Sequence, residues 1–234
     1  MSTYKTPGVY VEETPNLPPS VVEVASAVPA FVGYTVKAVS AAPEDLRFKP
    51  TLVRSMLDFE EFFGDAGAEG AVVHLTDAAG LVTVVGIDDP PVYHPLYFAM
   101  RMFFENGGRR CYVVSVGART AGSASTLELA DLTKGVETLA LEDEVTLLVV
   151  PEARSLPATD YKTLATIMLA QCAQLRDRFA IFDLPVIPSE PQADSAIAAR
   201  ACFPDDAALM YGAAYYPDLR TTLAFPYEIG RAHV

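Results

Sequence analysis

The amino-acid sequence predicts an α/β fold, a mostly parallel sheet with flanking helices. Three observations carry that prediction. Strand-like and helix-like segments alternate along most of the chain, which is the order of βαβ units. Val145-Thr146-Leu147-Leu148-Val149-Val150-Pro151 is a continuous apolar strand of the kind buried on both faces. Residues 160–178 place Leu164, Ile167, Met168, Cys172 and Leu175 at helical spacing, so that helix carries one face suited to lie on a sheet.

Residues 1–20 stand apart from this pattern. Thr6-Pro7-Gly8 and Pro15-Asn16-Leu17-Pro18-Pro19 punctuate them, and between these lies Val9-Tyr10-Val11-Glu12-Glu13. Proline breaks helices and removes ladder donors, so an extended arm is expected. A lone extended strand cannot satisfy its own backbone groups. The arm is either a mobile tail or a strand lent to another sheet, and its composition does not choose between them.

From Val21 the composition becomes globular, and residues 21–227 form the core region. Ala30-Phe31-Val32-Gly33-Tyr34-Thr35 reads as a buried strand, and residues 38–49 as a polar, irregular stretch. Leu52, Met56, Phe59 and Phe63 predict one helix over 51–63, stopped by Gly64. Residues 64–92 form a β-rich insertion, with a hairpin expected through Asp77-Ala78-Ala79-Gly80. A helix over Pro95–Glu105 shows Leu96, Met100, Phe103 and Phe104 on its apolar face and ends at Asn106-Gly107-Gly108. A strand over 111–116, a helix over 126–132 and the loop Glu142-Asp143-Glu144 follow. After the long helix come a strand at Phe179-Ala180-Ile181-Phe182-Asp183, a helix over 193–201 and a last strand over 213–217 that ends at a proline.

Composition narrows the function classes. Hydrophobic residues make up 51% and charged residues 20% of the 234, so the chain can bury a core. No apolar run reaches the roughly 18 residues that span a bilayer, and the N-terminus has no apolar stretch of signal-peptide type. Synthesis in the cytoplasm of the producing cell is expected. The formal charge of −13 argues against nucleic-acid binding and against adhesion to an anionic membrane. Cys111, Cys172 and Cys202 fit no metal spacing and read as free buried thiols.

An α/β sheet can carry an active site at the carboxyl ends of its strands. The sequence has no Gly-x-Gly-x-x-Gly, no phosphate-binding loop and no Gly-x-Ser-x-Gly elbow. His74, His94 and His233 lack ligand spacing. Asp183 is the best single acid for catalysis, but a strand-end cap or a partner for Arg178 is the preferred reading. Glu142-Asp143-Glu144 reads as a solvated turn rather than a metal site. Asn106-Gly107-Gly108-Arg109-Arg110 reads as a helix C-cap with favourably placed cations, in preference to an anion site. No nucleophile, base and orienter assemble. The expectation is a non-enzyme with no cofactor and no metal.

Several segments in order resemble the contractile tail sheath family of phages and phage-tail-like injection systems. They are Tyr4-Lys5-Thr6-Pro7-Gly8-Val9-Tyr10-Val11-Glu12-Glu13, then Ala27-Val28-Pro29-Ala30-Phe31-Val32-Gly33-Tyr34-Thr35, then Lys49-Pro50-Thr51-Leu52-Val53 leading to Phe59-Glu60-Glu61-Phe62-Phe63-Gly64. Phe103-Phe104-Glu105-Asn106-Gly107-Gly108-Arg109-Arg110-Cys111-Tyr112-Val113-Val114, Asp177-Arg178-Phe179-Ala180-Ile181-Phe182-Asp183 and Ala213-Ala214-Tyr215-Tyr216-Pro217 complete the set. The lead-in Pro18-Pro19-Ser20-Val21-Val22-Glu23-Val24 resembles the sheaths of extracellular injection systems more than those of typical phages.

The resemblance implies a structural subunit that stacks as hexameric rings around an inner tube and contracts to drive the tube into a target. It implies that Val9, Tyr10, Val11, Glu12 and Glu13 add a strand to a neighbouring subunit's sheet, and that the 64–92 hairpin is an outward decoration. Its implied partners are neighbouring copies, the inner tube protein and the baseplate, without nucleic acid or membrane insertion. Its implied place is the virion tail or injection particle. After Tyr215-Tyr216-Pro217 the family continues into a C-terminal sheath domain that this sequence lacks. Ile229-Gly230-Arg231-Ala232-His233-Val234 is similar to translated sequencing-adapter DNA, so residues 228–234 are expected to be non-native and the natural reading frame to end near Tyr227 or Glu228. Such a fragment is expected to aggregate through exposed edges and to form no sheaths alone. Two alternatives stand beside this reading: a small hydrolase-like α/β enzyme using Asp183, and a sheath-like accessory protein that does not polymerise.

Overall fold

The computed structural model describes residues 27–40, 45–66, 72–78, 81–88, 94–118, 127–185, 197, 199–217 and 219–223. The arm at 9–13, residues 21–24 and the expected non-native tail at 228–234 lie outside the described residues.

Twelve regular elements are described. The chain enters the sheet at β1 (Pro29–Thr35), all of whose residues are buried. β2 (Thr51–Val53) leads into α1 (Met56–Phe63). β3 (Val72–Ala78) and β4 (Leu81–Asp88) form a separate antiparallel hairpin, with a register shift between His74 and Leu75. α2 (Pro95–Glu105) feeds β5 (Cys111–Ala118), and α3 (Leu129–Thr138) leads through a 3-10 turn, Leu139–Leu141, to β6 (Leu147–Val149). A second 3-10 turn, Pro151–Ser155, precedes α4 (Ala158–Leu175) and β7 (Phe179–Asp183). A third, Ala207–Tyr211, precedes β8 (Gly212–Tyr215).

The main sheet has six strands in the order β2-β5-β1-β6-β7-β8. Its neighbours pair in parallel except β2, which runs antiparallel to β5. The expected α/β class, with a mostly parallel sheet, flanking helices and a small hairpin, is therefore the observed one. Phe31 and Val113 face a cluster with Phe59, Phe63, Leu96 and Met100 of α1 and α2. Val32 and Val114 face a cluster with Leu132, Val136, Leu164 and Met168 of α3 and α4. Helices thus cover both faces, which is why β1 reads as an unbroken apolar run.

Several boundaries differ from the sequence-based expectation, each for a local reason. The helix expected over 51–63 is divided. Thr51 and Val53 are β-branched and pair with β5, while the Ser55 hydroxyl accepts the Asp58 N–H at 3.1 Å and starts the helix one residue later. The helix expected over 126–132 begins at Leu129 and runs to Thr138, because the Tyr34 hydroxyl accepts the Glu128 N–H at 3.1 Å and supplies the cap. The run at 145–151 contributes only Leu147–Val149 to the ladder. The long helix stops at Leu175, where Arg176 adopts a left-handed φ of 60°. The last strand starts at Gly212 and ends at Tyr215. In the expected helix at 193–201, residues 197, 199 and 200 are helical and Ala201 lies in a turn.

Candidate assembly interface

The residues singled out for chemistry take structural positions. Asp183 ends β7 with an exposed side chain, and its main-chain oxygen accepts the Tyr161 hydroxyl at 2.8 Å. Arg178 stands at the opposite end of β7. Its Nε donates to Asp177 at 2.8 Å, and its guanidinium also reaches the carbonyls of Leu139 (2.7 Å) and Glu142 (3.2 Å). Of the two readings of Asp183, strand-end cap or partner for Arg178, the second is not met: Arg178 instead clamps the turn after α3.

Asn106-Gly107-Gly108 closes α2 as a Schellman cap. The Gly108 N–H reaches Phe103 O at 2.9 Å and the Gly107 N–H reaches Phe104 O at 3.1 Å, with φ of 89° at Gly107. The N–H groups of Gly107 and Gly108 are thus engaged inside the cap. Glu144 accepts the Tyr112 hydroxyl at 3.2 Å and pairs with Arg110 at 3.5 Å, so the acidic turn borders the start of β5. Among the described residues no cluster of three His, Cys, Asp or Glu forms a metal cage. His94 is buried at the N-cap of α2, His74 lies in β3, and His233 is outside the described residues.

The cysteines are free and buried. Burial pushes the Cys111 thiol up to about 12 and the Cys172 thiol to about 11, and raises that of Cys202 as well. All three are the reverse of an activated nucleophile.

What the sheet does offer is an edge. Among the described residues β8 pairs on one side only, with β7. The segments around it carry large apolar side chains into solvent: Ile197 is 74% exposed, Met210 72%, Tyr215 63% and Leu219 82%. Beside them a cleft of about 590 Å³ opens between α4, Ile197, residues 200–205 and β8. Its walls include Leu169, Phe182 and Phe203, and Gly212, Ala213 and Ala214 leave space for it. An unpaired strand edge flanked by apolar surface is suited to receive another segment of chain, by ladder hydrogen bonds and by packing.

The sequence pointed to donation at 9–13, which lies outside the described residues, and overlooked this receptive flank. Its signal was present in Leu209-Met210 followed by the small residues Gly212-Ala213-Ala214. Among the described residues no helix is long and apolar enough to cross a membrane.

No protein-family model and no curated protein matches the chain. A solved structure does: a chain in the anti-feeding prophage baseplate in its contracted state, determined by electron cryo-microscopy. Identity is 26% and the TM-score 0.55, over 95% of this chain and 50% of that one. The chain therefore spans about half the length of that neighbour. The likeness supports a contractile-tail-related protein, the coarser part of what the ordered motifs imply.

Proposed function

We propose that the chain is the α/β part of a structural subunit of a contractile tail sheath and performs no catalysis. The observation that carries this reading is the likeness, over 95% of the chain, to a chain of a contractile particle. The six sequence segments in sheath order support the finer assignment. In this reading the work is mechanical: subunits repack between an extended and a contracted lattice, and interfaces supply the energy difference. Neighbouring copies, the inner tube and the baseplate are the partners, and the β8 flank is buried on assembly.

The test is to place an epitope tag in the gene in the producing organism, purify its particles and locate the tag by electron microscopy. Labels repeating along the whole tail support the sheath. Labels confined to the baseplate end support the accessory role instead, a reading favoured by the baseplate origin of the matching chain. Turnover of a substrate that Asp183→Asn abolishes would overturn the non-catalytic part.

A further inference from the structure

The carboxyl end of the sheet holds a carboxylate that none of these roles uses. From β1 the chain crosses to β5 on one side, and from β5 it crosses to β6 on the other. In open α/β sheets the crevice at such a reversal is where ligands bind, often as anions held on main-chain N–H groups. Here the turn Pro151–Ser155 lies across it and packs against β1, β7, α2 and α4.

Glu152 in that turn is 1% exposed, and its Oε1 accepts the Tyr34 N–H at 3.3 Å. It lies so close to β1 that a Cβ on Gly33 would come within 2.6 Å of the carboxyl carbon. The ladder explains why something must fill this place. β6 pairs with β1 only from Pro29↔Leu147 to Phe31↔Val149, whereas β5 follows β1 to Thr35. Among the described residues no strand pairs with the β6 side of β1 beyond Phe31, and the Tyr34 N–H goes to a side chain instead. The N–H of Glu128, the residue before α3, is held as well, by the Tyr34 hydroxyl, which donates in turn to Asp131 at 3.1 Å.

We propose that Glu152 is a built-in ligand: its carboxylate occupies the crevice as an external oxyanion would, and ties the 151–155 turn to β1. The contact extends a short β1–β6 ladder with a side chain, so the halves β2-β5-β1 and β6-β7-β8 are held as one body. This role is independent of the particle in which the chain serves.

Chemical rescue tests it on the full chain. Glu152→Ala leaves a carboxylate-sized space, and thermal unfolding is followed in sodium formate and in sodium chloride of equal ionic strength. The expected result is a midpoint at least about 4 °C below wild type in chloride, a saturable rise in formate, and no formate-specific rise in wild type. A midpoint equal to wild type, or the same response to both salts, overturns the proposal. If Glu152→Ala does not refold in chloride, the refolding yield is compared in the two salts. A higher yield in formate supports the proposal, and equal yields overturn it. Glu152→Gln keeps the shape and fills the space. It is expected to lose stability without a formate response, and a formate response there would overturn the proposal.

Discussion

Arg178 shows how much one side chain can organise. Its side chain is 1% exposed, yet it joins the start of β7 to the turn after α3 through two carbonyls and one carboxylate. Arg178→Ala would remove the side-chain donors to Leu139 O and Glu142 O, which keep only the main-chain N–H groups of Glu142 and Val145, at a cost of about 1–3 kcal/mol, measurable by denaturant unfolding. The Arg178 hydrogen bond also holds the Asp177 carboxyl below its ordinary value. A depressed carboxyl contributes stability above the unfolded-state value and loses it as pH falls through the folded one. Asp177 is 43% exposed, so solvent screening keeps that contribution small. An NMR titration should show its midpoint return upward in Arg178→Ala. The raised cysteine thiols give a second residue-scale expectation. Little thiolate forms at neutral pH, so a thiol reagent should react with Cys111, Cys172 and Cys202 only as fast as the protein unfolds. Fast reaction in the folded protein would contradict this. The buried thiols were legible from residue type. Arg178's partners were not, because Leu139 and Glu142 are distant in sequence and bond through main-chain oxygens that any residue has.

At the scale of elements, segments with strong periodicity or punctuation were the legible ones. Pro95–Glu105 and Phe179–Asp183 are found where expected, the first between a proline and a Gly-Gly cap, the second as a short apolar run. The division of 51–63 was hidden because Leu52 continues the helical spacing of Met56 although its strand pairs with β5. The start of α3 was hidden because its cap is Tyr34, 94 residues away. Gly135 marks where α3 meets the sheet. A Cβ there would come within 2.6 Å of the Val32 side chain and crowd Val116 too. Gly135→Ala gains helix propensity of about 1 kcal/mol, but overpacking costs about 1–3 kcal/mol. Net destabilisation is expected, readable as a lower denaturant midpoint. A stabilised variant would show that the helix can lift from the sheet freely.

The whole molecule is a covered α/β sheet with an apolar flank along its β8 edge. The sheet and its two covered faces could be read from alternation and apolar runs. The flank could not, since whether Met210 or Leu219 is buried depends on what lies beside β8. Replacing both with lysine touches no described core cluster, so the unfolding free energy should stay within about 0.5 kcal/mol of wild type. Incorporation into particles should fall if this flank is covered on assembly, and unchanged incorporation would show that it is not. The central claim, a structural subunit repeated along a contractile tail, is tested most directly by reconstructing purified particles that carry the tagged chain. The account predicts this α/β body repeating around and along the inner tube, in both extended and contracted tails. Particles in which it occurs only at the baseplate, or not at all, would contradict it.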